Sequence, residues 1–264
     1  MARPIVTLTT DYGTNDHLVG VLKGVILSIN PDVTVVDITH GIIAHDILDG
    51  ALAIGQAYKY FPPKTIHVVV VDPGVGTDRK PILVASDQHY FVAPDNGVLS
   101  SVYDQTEALS VWHIISQHYF RQPVSKTFHG RDIFAPVAAW FSKSWQASAF
   151  GEPITDFARF AIPKPKAFGN TVRGVVLRVD QFGNLITNLR VEDVPALTSG
   201  DGTCTIMAGN ALVNKIVSTF AEGASGEPVG IIGSSGYLEI CMNKASAART
   251  LGIGRGTEVM VELG

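Results

Sequence analysis

The sequence predicts an α/β protein with an N-terminal domain built on a helix-flanked sheet and a smaller C-terminal domain of short strands, a β-barrel or a sandwich. Three observations favour this fold class. In the first part of the chain, segments with helical spacing of apolar residues alternate with strand-like segments. A patch rich in Pro and Gly follows, and short strand-like segments with Gly-rich turns then continue to the end. The domains are therefore expected at residues 1–165 and 166–264.

The N-terminal domain begins with a strand–helix–strand–helix–strand pattern. Asn15 and Asp16 stand where they can cap the first helix, and Pro31 ends it. The last strand of this series is an almost unbroken β-branched run, which is typical of a parallel strand covered on both faces. Strands are predicted at 5–8, 33–38 and 66–71, and helices at 18–29 and 47–58.

The C-terminal domain follows a linker-like segment that contains Pro163, Pro165 and Gly169. Its strand-like segments are short and closely spaced, as in small barrels and sandwiches. They lie at 172–179, 204–207, 216–219, 229–232, 237–242 and 257–262.

The composition excludes several classes of protein. With 46% hydrophobic and 17% charged residues, the chain of 264 residues is not of the disordered type. A net charge of -4 argues against nucleic acid as a partner. No apolar run approaches the roughly 20 residues of a membrane span. Only two cysteines, Cys204 and Cys241, are present, so we expect a cytoplasmic protein without a disulfide framework.

Three carboxylates follow predicted strands directly, and ligands of α/β sheets bind at the carboxyl ends of strands. They are Asp11, Asp72 and Asp180. Each could instead only begin a turn, a common role of Asp. Three such placements together favour a binding site.

The segment from Asp72 to Arg79 contains two glycines, Gly74 and Gly76, that let a ligand approach the backbone. It does not fit a dinucleotide-binding fingerprint or a P-loop. The turn could fold Arg79 back onto Asp72 as a bidentate ion pair, or the two could form a weak surface pair. Both alternatives stay open on this evidence.

A second polar segment, Thr127 to Asp132, precedes an apolar helix. His129 would lie just before the helix start, where backbone N–H groups and Asp132 could organise a polar ligand. The histidine is a candidate proton acceptor or a purely structural residue. His40 and His45 lack further ligands at usable spacing, so no metal site is expected.

Two further segments, around Phe182 and Ser234, are either turns or parts of a binding site. Phe182 and Asn184 offer an aromatic face and an amide, the groups that hold a planar base. Ser234 lies between two strand-like segments, where a hairpin turn is the plainer interpretation.

Taken together, these motifs resemble the S-adenosyl-L-methionine (SAM) hydrolase family, also called SAM hydroxide adenosyltransferases, which are related to fluorinating and chlorinating enzymes. The resemblance runs through nearly the whole chain and in order. The motifs are Thr9–Gly13, Val71–Gly76 with Arg79, Thr127–Asp132, Asp180 with Phe182–Asn184, and Ser234–Glu239.

The resemblance implies a catalytic set of Asp72, Arg79 and His129. It also implies an N-terminal α/β domain with a smaller C-terminal β-barrel domain, and a homotrimer with sites between subunits. SAM is then a small-molecule substrate, and no cofactor or metal is expected. Substrate-binding roles fall on eight positions, with Asp11 at the ribose hydroxyls, Asp180 and Ser234 at the methionine end, and Phe182, Asn184 and the backbone near Met242 at adenine. These positions are Asp11, Phe128, Asp180, Phe182, Asn184, Ser234, Glu239 and Met242.

The implied reaction is hydrolysis of SAM to adenosine and L-methionine by in-line attack of water on C5′. The alternatives are a non-catalytic protein that binds SAM or adenosine, and a halide-using 5′-halo-adenosine synthase. The halogenating relatives carry a Ser where this chain has Gly130, which disfavours halide. Gly233 and His45 are departures from the family pattern, near the methionine end and the sugar respectively.

Overall fold

The computed structural model describes residues 3–198 and 204–263. The chain divides between Ile162 and Pro163 into two compact units, each with its own sheet, so the mixed α/β class predicted from the sequence is confirmed. The domain assignment with its boundary at residue 165 stays a prediction, and its outer limits, residues 1 and 264, lie outside the described residues.

The sheet of the first unit has the strand order β2-β1-β3-β5-β4-β6-β7. β1, β2, β3 and β5 run parallel, while β4, β6 and β7 pair antiparallel at one side. The strands are Ile5–Thr10 (β1), Thr34–Thr39 (β2), Ile66–Val70 (β3), Pro81–Ala85 (β4), Tyr90–Pro94 (β5), Ser110–Ile114 (β6) and Gly151–Ile154 (β7).

Helices cover both faces of this sheet. They are Leu18–Ile29 (α1), Ile47–Ala57 (α2), Ser100–Tyr103 (α3) and Ala135–Ser144 (α4). Val68 and Val70 of β3 pack in the core with α1 and α4, whereas Val69 packs in the core with α2 and α3. All residues of β3 are buried, so the prediction of a strand covered on both faces is confirmed.

Two helix starts differ in how they are capped. Asp46 accepts a hydrogen bond from the backbone N–H of Asp49 at 3.0 Å and so caps the start of α2. The cap predicted for α1 is wrong: that helix begins at Leu18 after His17, with no side-chain cap from Asn15 or Asp16. Of the helices in residues 3–198 and 204–263, none combines the length and apolar character that crossing a membrane requires.

In the described part of the second unit, nine strands and one short helix, Ala247–Leu251 (α5), surround a separate apolar core. The path β12-β11-β16-β9-β10-β15-β14-β13 curls until β12 approaches β14. The strand expected at 216–219 is shorter than predicted. The strands are Lys166–Phe168 (β8), Thr171–Val179 (β9), Leu185–Arg190 (β10), Cys204–Ala208 (β11), Ala211–Val213 (β12), Ile216–Val217 (β13), Pro228–Ile232 (β14), Tyr237–Met242 (β15) and Glu258–Leu263 (β16).

Candidate active site

Two of the three strand-end carboxylates lie at one edge of the first sheet. β1 and β3 are parallel neighbours with Thr10 paired to Val70, so Asp11 and Asp72 both emerge at adjacent carboxyl ends. Asn96, which the sequence analysis did not identify, donates its side-chain N–H to the carbonyl oxygen of Val71 at 2.8 Å and anchors the chain just before Asp72. Asp180 belongs to the other unit, so the strand-end argument joins only two of the three.

The turn after β3 folds Arg79 back onto Asp72. Nε of Arg79 lies 3.0 Å from both carboxylate oxygens, and Nη2 donates to Oδ2 at 2.5 Å. The two side chains are only 9% and 6% exposed, respectively. A bidentate pair in this environment has a fixed orientation. The alternative of a weak surface pair is therefore excluded.

The same guanidinium contacts His129, with Nη2 of Arg79 2.6 Å from Nδ1. A guanidinium can only donate, so Nδ1 must accept and the proton of the neutral imidazole sits on Nε2. Burial and then the charge of Arg79 lower the pKa of His129, while Asp72 and Asp132 act in the opposite direction. The imidazole is therefore neutral at pH 7.

His129 is positioned by a turn of π-helix, Gly130–Phe134, that leads into α4. Asp132 holds this turn: its buried carboxylate accepts hydrogen bonds from the backbone N–H of Ser125 at 2.8 Å and from Nε of Arg131 at 2.7 Å. The expectation that Asp132 helps to organise a ligand is thus wrong, because its oxygens already fix the loop that carries His129.

A cavity of about 410 Å³ opens beside these groups. This volume falls in the usual range of small-molecule sites. Four of the residues that line it, Tyr12, Leu18, Ala44 and Val75, received no role from the sequence. The predicted site residues in its wall are Asp11, Asp72, Phe128 and His129.

Asp11 is held in the cavity wall by the backbone of His45, whose N–H donates to Oδ2 at 2.9 Å. His45 has a positive φ of 66°, an unusual conformation for a residue with a side chain. Its imidazole is 76% exposed, and Nδ1 lies 4.0 Å from the same carboxylate oxygen. Asp11 therefore keeps a fixed orientation with free acceptor capacity.

In the second unit, Asp180 organises its own turn. Oδ1 accepts the backbone N–H groups of Phe182 and Asn184, each at 2.8 Å, and Oδ2 accepts the side-chain amide of Asn184 at 2.8 Å. This turn leaves the Phe182 ring 77% exposed, while Asn184 is buried. The turn interpretation is correct here, and the turn also presents an aromatic face to solvent.

The remaining predicted residues lie on β15 and the turn before it. Ser234 is in a hairpin turn closed by the N–H of Gly236 donating to the carbonyl oxygen of Gly233 at 2.9 Å. Glu239 lies against Gly233, because a Cβ added there would fall 1.8 Å from Oε1. Burial and the nearby Asp180 raise the pKa of Glu239. Met242 is buried at the end of β15.

No group of three or more His, Cys, Asp or Glu side chains within residues 3–198 and 204–263 has the arrangement of a metal site. His40, one of the histidines considered from the sequence, is occupied otherwise. Its Nδ1 lies 2.8 Å from Oγ1 of Thr10, and its Nε2 lies 3.1 Å from Oδ1 of Asp37.

Comparisons with known proteins agree with this architecture. The chain is 35% identical to the (R)-S-adenosyl-L-methionine hydrolase of Salinispora tropica, over 99% of this chain and 98% of that protein. A more distant relative, the fluorinase of an Actinoplanes species, is 28% identical over 98% of this chain and 97% of its own. The solved structure of an uncharacterized conserved protein from Thermotoga maritima superposes with a TM-score of 0.91 at 34% identity, covering 97% of this chain and 99% of that one.

Two family models match most of the sequence. The N-terminal domain model of the SAM hydroxide adenosyltransferases matches residues 6–151, and the C-terminal domain model matches residues 174–260. The protein therefore belongs to the SAM hydroxide adenosyltransferase family.

Proposed function

We propose that this protein hydrolyses SAM to adenosine and L-methionine, with water attacking C5′ of the ribose. One observation carries the proposal: a single guanidinium, that of Arg79, joins the carboxylate of Asp72 to the imidazole of His129 beside a cavity of suitable size. Full-length similarity to a protein named (R)-S-adenosyl-L-methionine hydrolase supports the same reaction.

The main requirement of this reaction is a water molecule held in line with the C5′–S bond. The water oxygen forms a bond to C5′, the C5′–S bond breaks, and its electron pair goes to the sulfonium sulfur, which leaves as the neutral thioether of methionine. One water proton must be removed. Because the sulfonium leaving group is already activated, these steps require no cofactor, and SAM is only the substrate. Positioning of the reactants can contribute on the order of 7 to 11 kcal/mol.

In this mechanism Asp72 is the acceptor of the water proton and Arg79 stabilises the hydroxide character that develops. The lone pair on Nδ1 of His129 is already used by Arg79 at 2.6 Å. His129 therefore acts as the group that orders the ion pair. Removal of the water proton by a general base such as Asp72 typically increases the rate 10²- to 10⁴-fold.

The substrate roles follow the family resemblance. Asp11 takes the two ribose hydroxyls, since a carboxylate accepts two hydrogen bonds and this one is held in place by the N–H of His45. Phe128 binds substrate from the wall of the same cavity as Asp11. The C-terminal unit supplies Asp180 and Ser234 for the methionine end, Phe182, Asn184 and the backbone near Met242 for adenine, and Glu239 as a further substrate-binding residue.

The proposal includes an arrangement that the family resemblance implies. The chain consists of an N-terminal α/β domain, residues 1–165, and a C-terminal β-barrel domain, residues 166–264. Three subunits form a homotrimer in which each active site lies between neighbouring subunits. The protein acts in the cytoplasm, without nucleic acid or membrane as a partner. Light scattering tests the trimer directly.

The activity is tested by incubating purified protein with SAM and measuring adenosine and methionine by chromatography, with and without a metal chelator. Adenosine and methionine in equal amounts in both conditions support the proposal. Tight binding of SAM without turnover would instead identify a binding protein. Halide-dependent 5′-halo-adenosine would identify a halogenating enzyme.

Three variants test the roles: Asp72→Asn, Arg79→Lys and His129→Asn. We expect kcat to fall by about 10²-fold or more for Asp72→Asn and Arg79→Lys, and by less for His129→Asn. His118→Asn is the matched control, because His118 is an exposed histidine of the same unit outside the cavity wall. Unchanged rates in the three site variants would show that the assigned roles are wrong.

A further inference from the structure

Tyr12 has a fixed place in the cavity wall that the reaction described above does not use. It directly follows Asp11, and it lines the cavity together with Asp72 and His129. Its ring meets the Phe128 ring edge-on, with centroids 5.9 Å apart, and packs against the core beneath α1 and α4. Packing therefore positions the phenol.

The Tyr12 hydroxyl forms no hydrogen bond with any residue in the described part of the chain, although the backbone N–H of Tyr12 donates to Oγ1 of Thr10 at 3.2 Å. A partly buried hydroxyl normally has a partner, so this one is left for water or a ligand in the cavity. Burial, Asp11 and Asp72 raise its pKa, so it remains a neutral phenol that can donate.

Gly130 is the residue that makes room for this hydroxyl. A Cβ at position 130 would lie 2.4 Å from the hydroxyl oxygen of Tyr12 and 3.3 Å from its Cζ. The backbone of Gly130 does not have a positive φ, so its conformation does not require glycine. Glycine in a helix also costs about 0.5 to 1 kcal/mol relative to Ala. The structure therefore explains glycine at position 130 by the space that the Tyr12 hydroxyl needs.

The Tyr12 hydroxyl lies in the part of the cavity wall that carries His129. It contacts Gly130, the direct neighbour of His129, and His129 contacts the guanidinium of Arg79. Asp11 already serves the ribose hydroxyls in the proposed function. The open hydrogen bond of Tyr12 is therefore directed to the third participant, the water.

We infer that the Tyr12 hydroxyl donates a hydrogen bond to the attacking water, and that Gly130 is needed to leave it in place. The inference rests on the proposed function. With one lone pair of the water oxygen held by Tyr12, the other faces C5′ while a proton leaves toward Asp72. Tyr12 is thus a further catalytic residue for the same reaction.

The test begins with Tyr12→Phe, which removes the hydroxyl and keeps the ring. We expect kcat for adenosine formation to fall about tenfold, the effect of losing one neutral hydrogen bond in the transition state, while KM for SAM changes less than about twofold. Tyr90→Phe is the matched control: Tyr90 is a partly buried tyrosine that packs on Phe141 and Trp145, outside the cavity wall. Its kcat should equal that of the wild type.

A second substitution tests the coupling between the two positions. Gly130→Ala displaces the hydroxyl, so it should lower kcat strongly in the wild-type background and much less in the Tyr12→Phe background. Equal losses in both backgrounds, or an unchanged kcat in Tyr12→Phe, overturn the role of Tyr12. A wild-type protein that forms no adenosine overturns the proposed function itself, so the two failures are distinct. Circular dichroism of each variant verifies that the fold is retained.

Discussion

Replacing Arg79 by Met removes the cation that joins the other two groups of the site. Its guanidinium pairs with Asp72, with side chains only 9% and 6% exposed, and its Cζ lies 5.2 Å from the centroid of the Phe134 ring. Breaking a buried pair by removing one partner costs about 3 to 5 kcal/mol, and a cation–π contact contributes about 0.5 to 1 kcal/mol. Asp72 borders the cavity and can regain water, so we expect the lower end.

The expected loss for Arg79→Met is thus about 3 kcal/mol in the free energy of unfolding. For a unit of this size, that corresponds to a fall in Tm of about 6 to 12 °C. Urea titration followed by circular dichroism measures the free energy, and a thermal scan measures Tm. The long, unbranched Met side chain retains most of the packing of the Arg stem, so the loss reports on charge.

The double variant Asp72→Asn/Arg79→Met is the decisive comparison. It contains neither charge, so no carboxylate is left without its partner, and it should recover about half of the lost stability or more. The stabilising role of the Asp72–Arg79 ion pair is refuted if Arg79→Met is as stable as the wild type. It is also refuted if the double variant is less stable than Arg79→Met alone.

Three further predictions concern titration and backbone strain. Because burial and then Arg79 lower the pKa of His129, Arg79→Met should raise it toward its ordinary value in an NMR titration; no upward shift would contradict the assigned contact. Burial, and then the charge of His89, lower the pKa of His67 from 6.5 to about 3, so only the unfolded chain takes up this proton between those pH values. Stability should therefore fall as pH drops through this window by about 1.4 kcal/mol per pH unit from His67 alone, and urea titrations should show a shallower slope in His67→Gln. The exposed Lys64 has a positive φ of 68°, so Lys64→Gly should raise the free energy of unfolding by about 0.5 to 1 kcal/mol in the same assay, and a loss would contradict the strain.

The parts of the fold that could be predicted are those where local pattern and tertiary environment agree. The β-branched run that forms β3 has no polar side chain to face solvent except His67, and the structure buries all of it. Asp46 begins α2 because an Asp before an apolar periodic segment can cap a helix without help from other elements.

The predictions that were wrong concern polar side chains whose hydrogen bonds depend on how the local chain folds. Asp132 lies three residues after His129, but its buried carboxylate accepts hydrogen bonds from the backbone of Ser125 and from the neighbouring Arg131, and the sequence does not show this burial. The start of α1 also differs from the prediction. Asn15 and Asp16 remain exposed, and the helix begins without a side-chain cap.

The candidate site was partly readable from sequence, because the short turn from Asp72 to Arg79 limits where Arg79 can reach. The turn alone could not distinguish a buried pair from an exposed one, since burial depends on the later segment that brings in His129. Tyr12 could not be singled out at all. Its importance depends on its closeness to Gly130, which lies far along the chain.

Attack of water on C5′ of the ribose can be tested by hydrolysis in H₂¹⁸O and mass spectrometry of the products. If water attacks C5′, one ¹⁸O atom appears in the 5′-hydroxyl of adenosine and none in methionine. Unlabelled adenosine would show that the 5′-oxygen does not come from water, and labelled homoserine released together with methylthioadenosine would show that another carbon is attacked; either result would contradict the proposed reaction.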